Sequence, residues 1–253
     1  MDRSFLSKPE VIAASTRFVC VRLMSYEDAD EMTFLEGVFT GRSGEAENTV
    51  FTIFSPDGKK TLVRAARSTR QGFRDAADLA ATMQRVAKPF EARDDGKGAL
   101  PLVANLRLGV NVAACDNQPL VVVFGDDKTR KALETKVAVL AWSKEWRGRF
   151  VYASARAKEL TMIEGVEGDS GVVVVAPEKF GRTGKVIGGA KADASSEALA
   201  KAFAEAVKKW RPEEKTFSNH VREGQKLGVF WETKTPVTDP EEARARERGK
   251  RKQ

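Results

Sequence analysis

The sequence predicts an α/β protein. Two continuous apolar runs, Leu120-Val121-Val122-Val123-Phe124 and Val172-Val173-Val174-Val175, have the character of buried central strands. Segments with helical spacing stand between and after them, and Gly, Pro and Asp clusters punctuate the change of period.

In the first half, Phe18-Val19-Cys20-Val21-Arg22-Leu23 is apolar and β-branched, so it reads as a strand. Asp28 to Val38 reads as a short helix carrying Met32, Phe34 and Leu35, broken by Gly41-Arg42-Ser43-Gly44. Val50–Phe54 is a second strand. Ser55-Pro56-Asp57-Gly58 supplies turn chemistry, and Thr61–Arg64 completes a hairpin. Phe73 to Val86 places Phe73, Ala76, Ala77, Ala80, Met83 and Val86 at helical spacing, and Lys88-Pro89 stops the helix. The polar stretch Arg93–Gly98 is the expected domain boundary.

In the second half, Leu106 to Ala114 is a short helix ended by Asn117-Gln118-Pro119. The strand Leu120–Phe124 follows. Asp126-Asp127 then opens a longer helix expected to run through Trp142 and Trp146. Phe150-Val151-Tyr152, Val172–Val175 and Lys185–Gly188 are strands, and Ser195 or Ser196 caps a helix to about Trp210. The order is α-β-α-β-(short helix)-β-β-α. Past Arg211-Pro212 the pattern fades, and from Pro236 the charged, Pro-containing chain is expected to be disordered. The expected organisation is therefore 1–92, 100–211 and a charged tail at 212–253.

Composition narrows the chemistry. Of 253 residues, 42% are apolar and 31% charged, which suits a packed core and not a wholly disordered chain. No run approaches the ~20 apolar residues of a membrane span, and no export signal opens the chain, so the expectation is a cytoplasmic protein without membrane contact. One histidine, His220, excludes a His-rich metal site, and two cysteines, Cys20 and Cys115, exclude a Cys-rich zinc site or disulfide scaffold. No cofactor motif is present. Gly181-Arg182-Thr183-Gly184-Lys185 is too short for a phosphate loop and precedes a strand.

The element order resembles the thioredoxin-like superfamily. Gln118–Trp210 matches a whole such domain, and Leu106–Pro119 resembles the family's approach to its first core strand. In Met1–Phe90 only the later part is visible. Met1–Val11 resembles the segment that follows the family's Cys-x-x-Cys-Lys motif, Phe18–Leu23 would be the next core strand, and Thr52–Gly58 would lead into the hairpin. The resemblance implies tandem thioredoxin-like folds, each a central mixed sheet flanked by helices. The first is N-terminally incomplete, and a disordered basic tail ends the chain. It also implies that an in-frame extension upstream of Met1 would carry the redox motif.

Departures from the family bear on function. Its chemistry uses two thiols at the start of the first long helix, where the dipole stabilises a thiolate. Here that place reads Phe124-Gly125-Asp126-Asp127-Lys128, without cysteine. The family's cis-proline position falls at Thr49 in the first half, and no proline precedes Val172 in the second. Asn48 and Thr49 are then the candidate peptide-contact loop.

The remaining candidates have plainer readings beside the functional ones. Cys20 is expected to be a buried, inert thiol between Val19 and Val21, and Cys115 a more exposed one whose thiolate Asp116 disfavours. His220 is expected in solvent. Trp142 and Trp146, at i and i+4, are expected to share a helix face as packing residues. Leu227–Trp231 is an apolar island that packs back or meets a partner. Net charge is +7, with its densest basic cluster at Arg244, Arg246, Arg248, Lys250, Arg251 and Lys252, a solvated tail or a nucleic-acid contact.

Three functions follow as expectations. The first is a thioredoxin-like protein without a dithiol, serving as a non-catalytic binding or scaffold module for a protein or peptide. The second is a thiol–disulfide oxidoreductase whose cysteines lie upstream. The third is a nucleic-acid binder acting through the basic tail.

Overall fold

A computed structural model describes residues 5–41, 44, 50–90, 98–229, 233, 235, 244 and 247. The chain divides into two compact units, Met1–Ala92 with Trp231–Gln253, and Arg93–Phe230.

The first unit opens with helices α1 (Pro9–Ser15) and α2 (Ala29–Val38). Asp28 starts α2 by accepting from the N–H groups of Asp30 and Glu31. Strands β1 (Phe51–Phe54) and β2 (Thr61–Ala66) form an antiparallel pair. Their turn closes where Gly58 N–H donates to Ser55 O, and the Asp57 carboxylate accepts from the Ser55 hydroxyl and Lys59 N–H. These bonds hold the Asp57 carboxyl below the usual carboxylate range. A single turn, α3 (Thr69–Gly72), precedes α4 (Ala76–Ala87). The helix begins later than Phe73 because Asp75 caps it, accepting from Asp78 N–H at 2.8 Å. Phe73 instead packs, still extended, edge-on against Phe51. Phe5, Val11, Ile53, Leu79 and Met83 fill the core around it.

No strand forms over Phe18–Leu23. Its Val19 and Val21 side chains are 73% and 74% exposed, and Cys20 is exposed where a buried thiol was expected. The segment has strand composition but no pairing edge, and β propensity counts only when a neighbouring strand and a packed face exist. Just beyond it, Thr235 closes onto this unit. Its hydroxyl donates to Ser25 O at 2.7 Å and its N–H to Tyr26 O at 3.4 Å.

The second unit opens with α5 (Leu106–Asp116), capped by Asn105 and ended by Asn117 in the left-handed region, φ 56°. Then come β3 (Leu120–Phe124), α6 (Asp127–Ala141), β4 (Val151–Ala155), a 3-10 helix (Ala157–Met162) and β5 (Ile163–Glu164). Strands β6 (Gly171–Pro177) and β7 (Gly184–Lys191) and helices α7 (Ser196–Lys209) and α8 (Phe217–Lys226) complete it. The mixed sheet has the order β4-β3-β6-β7-β5. Strand β3 runs parallel to β4 and antiparallel to β6, and β6 and β7 are antiparallel.

Alternation along β3 sends Val121 and Val123 to one face, where they join Leu133 and Val137 of α6 and Leu199 and Phe203 of α7. Leu120 meets α5 on the other face, where a side chain at Gly109 would come within 3.3 Å of it. Helices therefore cover both faces, as a continuous apolar strand demands.

Helix α6 ends at Ala141, so Trp142 and Trp146 do not share a helix face. Both still pack. Trp146 is buried against Phe150 and Phe203, and half-buried Trp142 donates its indole N–H to Ala99 O at 2.9 Å.

Helix α8 lies in the stretch where the sequence pattern fades, and its His220 is not a solvated side chain. The imidazole stacks on Phe180, centroids 4.8 Å apart. Three of the ten residues of α8 are charged, Arg222, Glu223 and Lys226, and its contacts include the Glu223 pair with Lys179 and the His220 stack on Phe180.

Candidate functional site: two ends of one sheet

The C-terminal end of β3 delivers the chain through Gly125 into α6. Gly125 has φ +144°, and a side chain there would meet Ser170 Cβ at 2.9 Å, so the turn is built for glycine. Asp126 caps the helix, accepting from the Thr129 N–H at 2.8 Å and its hydroxyl at 3.1 Å. Asp127 pairs with Arg130 at 2.6 Å and Arg156 at 3.4 Å. The chain of contacts continues inward. Arg130 donates to Ser154 Oγ at 3.1 Å, and the Ser154 hydroxyl donates to Glu134 at 2.5 Å.

Electrostatics here favour fixed charge. The Thr129 N–H and hydroxyl hold the Asp126 carboxyl below its usual range, and the Arg130 hydrogen bond and Arg156 charge do the same for Asp127. Two carboxylates held in their ionised form therefore occupy the start of α6. They accept hydrogen bonds but cannot exchange disulfides.

The opposite end of the sheet holds a groove of about 590 Å³. Its walls are the end of α5, the end of β6, the last turn of α7 and the segment 211–215. That segment is strapped to α5. Asn117 donates its amide to Glu213 O at 2.9 Å, and Glu213 N–H donates back to Asn117 Oδ1 at 3.0 Å. Lys215 reinforces the strap by donating to Ala114 O at 2.8 Å and Lys179 O at 3.0 Å.

The turn between β6 and β7 supports the same wall. Gly181 has φ +67°, and its missing side chain leaves room for Asn111 Cα, which would stand 2.6 Å from a Cβ. The Glu178 carboxylate accepts from Phe180 N–H and Arg182 N–H. Lys179 pairs with Glu223 of α8 and, at 3.6 Å, with Glu213, and the Glu223 bond raises the Lys179 pKa. Burial lowers the His220 pKa, and the Lys215 and Lys179 charges push in the same direction.

Of the residues singled out from sequence, Asn48 and Thr49 lie outside the described residues. So do Arg246, Arg248, Lys250, Arg251, Lys252, Phe230 and Trp231. Arg244 is described and exposed. Cys20 and Cys115 are both exposed and form no disulfide with each other. The groove was missed. Its available signal was the cation-rich helix end Lys208-Lys209-Trp210-Arg211 with Lys215 close behind, but its other wall comes from segments about 30 and 90 residues earlier in the chain. Among the described residues, no helix is long and apolar enough to cross a membrane, and no three His, Cys, Asp or Glu side chains gather as metal ligands. No family model, curated protein or solved structure matches the chain.

Proposed function

We propose that the second unit is a thioredoxin-like domain without redox chemistry, working as a binding module for a protein or peptide. The strand order supports the fold assignment. A parallel β3–β4 pair joined through α6 is followed by the antiparallel β6–β7 pair and the closing helix α7. For the first unit, the β1–β2 hairpin followed by α4 supports reading the later part of a similar fold, without the strand expected over Phe18–Leu23.

The observation that carries the functional reading is the engagement of Asp126 and Asp127 at the start of α6. Where the family places its thiols, this chain places a helix cap and an ion pair to two arginines. Such a site holds its charges in fixed geometry and has no nucleophile to attack a disulfide.

Insulin reduction by dithiothreitol tests the reading directly. The full chain is expected to leave the rate of insulin precipitation at that of buffer. Acceleration that disappears in a Cys20→Ser, Cys115→Ser variant would overturn it and assign the chemistry to the exposed thiols.

A further inference from the structure

The groove at the far end of the sheet carries an excess of positive charge that its own carboxylates do not neutralise. Its cations are Lys179, Lys209, Arg211 and Lys215, and its acids are Glu178 and Glu213. Glu213 is matched to Lys179, and Glu178 is turned to the Arg182 backbone and guanidinium. Among the described residues Lys209, Arg211 and Lys215 make no ion pair. Lys215 is held by two carbonyls and keeps a third N–H, since an ammonium has three donors. Arg211 donates through one nitrogen to the carbonyls of Lys208 and Trp210, leaving most of its five-donor fork. Helix C-termini account for part of this charge, since Lys209 lies in the last turn of α7 and Lys215 donates to Ala114 O in the last turn of α5.

Beside these charges lies the half-buried indole of Trp210. We propose that the groove binds a mononucleotide, with its phosphates on Lys209, Arg211 and Lys215 and its base against Trp210. Cations supply charge-assisted hydrogen bonds to phosphate, and an indole offers a stacking face to any base. A volume of about 590 Å³ lies within the range of small-ligand cavities.

An acidic peptide fits less well. Its carboxylates would meet the same cations, since acidic motifs are read by basic side chains, but it brings no base to stack on the Trp210 indole. The site is separate from the helix start of α6, at the other end of β3, and stands independently of the binding-module reading.

The test is isothermal titration calorimetry of the full chain with ADP, inorganic phosphate, a poly-glutamate peptide and a dT oligomer. ADP is expected to bind with a Kd of roughly 10–100 µM, and phosphate at least about tenfold more weakly. The variant Lys209→Gln, Arg211→Gln is expected to weaken ADP by roughly tenfold or more while the chain stays folded at the assay temperature, its melt lowered only by the lost contacts at the end of α7. Trp210→Leu is expected to weaken ADP but not phosphate, a split that general loss of charge cannot produce. No heat with ADP at millimolar concentration would overturn the proposal, as would ADP binding indifferent to Lys209→Gln, Arg211→Gln. Poly-glutamate binding more tightly than ADP would overturn it in favour of a peptide. A dT oligomer binding more tightly than ADP, and losing affinity on deletion of 244–253, would overturn it in favour of the basic tail.

Discussion

Asn117 and Glu213 exchange two hydrogen bonds, side-chain amide to main chain in both directions, across 96 residues of sequence. Asn117 does this while standing in the left-handed region that ends α5, φ 56°. One side chain therefore terminates a helix and anchors the strap that forms a wall of the groove.

The two roles of Asn117 are separable by substitution. Asn117→Gly keeps the left-handed turn and loses both bonds, for an expected cost of about 1 kcal/mol. Asn117→Ala loses the bonds and adds the strain of a side chain there, for about 2 kcal/mol. Urea unfolding measures both. Equal losses would show that the helix ending contributes nothing. In both variants trypsin is expected to cut after Lys215 sooner than in the parent chain.

Thr235 makes a similar closure in the first unit. It is 8% exposed, and its hydroxyl is bonded to Ser25 O. Thr235→Val preserves shape but leaves that carbonyl without its donor. The expected cost is about 1 kcal/mol of stability, read as a lower midpoint in denaturant. An unchanged midpoint would mean that water replaces the hydroxyl without penalty.

Legibility in sequence followed the range of the interactions. The strands Leu120–Phe124 and Gly171–Pro177 were readable because both faces are buried and the run is continuously apolar. The caps at Asp126 and Ser195 were readable because a cap is a contact over three residues. Phe18–Leu23 misled because its composition is that of a strand, whereas strand formation requires a pairing edge that no local pattern reports. Trp142 and Trp146 misled in spacing but not in burial, since the helix stops at Ala141, before both. The carboxylates at the start of α6 were visible as residue types, yet their arginine partners were not. Arg156 reaches Asp127 only because β4 lies parallel beside β3. The groove was the least readable feature, because it joins the ends of α5, β6 and α7 and the segment 211–215, which are far apart in sequence.

Exposure of both thiols has a direct chemical readout. Cys20 stands between two exposed valines, and Cys115 is exposed on the last turn of α5. Ellman's reagent is expected to titrate two thiols per chain in the native protein, without denaturant. Cys20→Ser and Cys115→Ser are each expected to remove one of them. A single native thiol, with the second appearing only in guanidinium, would restore the buried cysteine expected from the Val-Cys-Val pattern.

His220 is the one histidine of the chain, so its imidazole signals are unambiguous by NMR. It stacks on Phe180 and faces Lys215, Lys179, Glu213 and Glu223. Burial, then the two lysines, lower its pKa from the ordinary 6.5. A histidine with a depressed native pKa binds protons more readily when unfolded. Its contribution to holding α8 in place is therefore full above pH 6.5 and is lost as pH falls through the depressed native value. The Lys179 hydrogen bond also holds the Glu223 carboxyl below its usual range, so that ion pair favours the neutral-pH state as well. The expected titration midpoint of His220 lies below 6.5, and release of α8, followed by hydrogen exchange in 217–226, accompanies it. His220→Phe keeps the stack with Phe180 and is expected to remove the pH dependence of that exchange. A native midpoint at or above 6.5, or an unchanged pH dependence in His220→Phe, would place the acid sensitivity of α8 on its carboxylates instead.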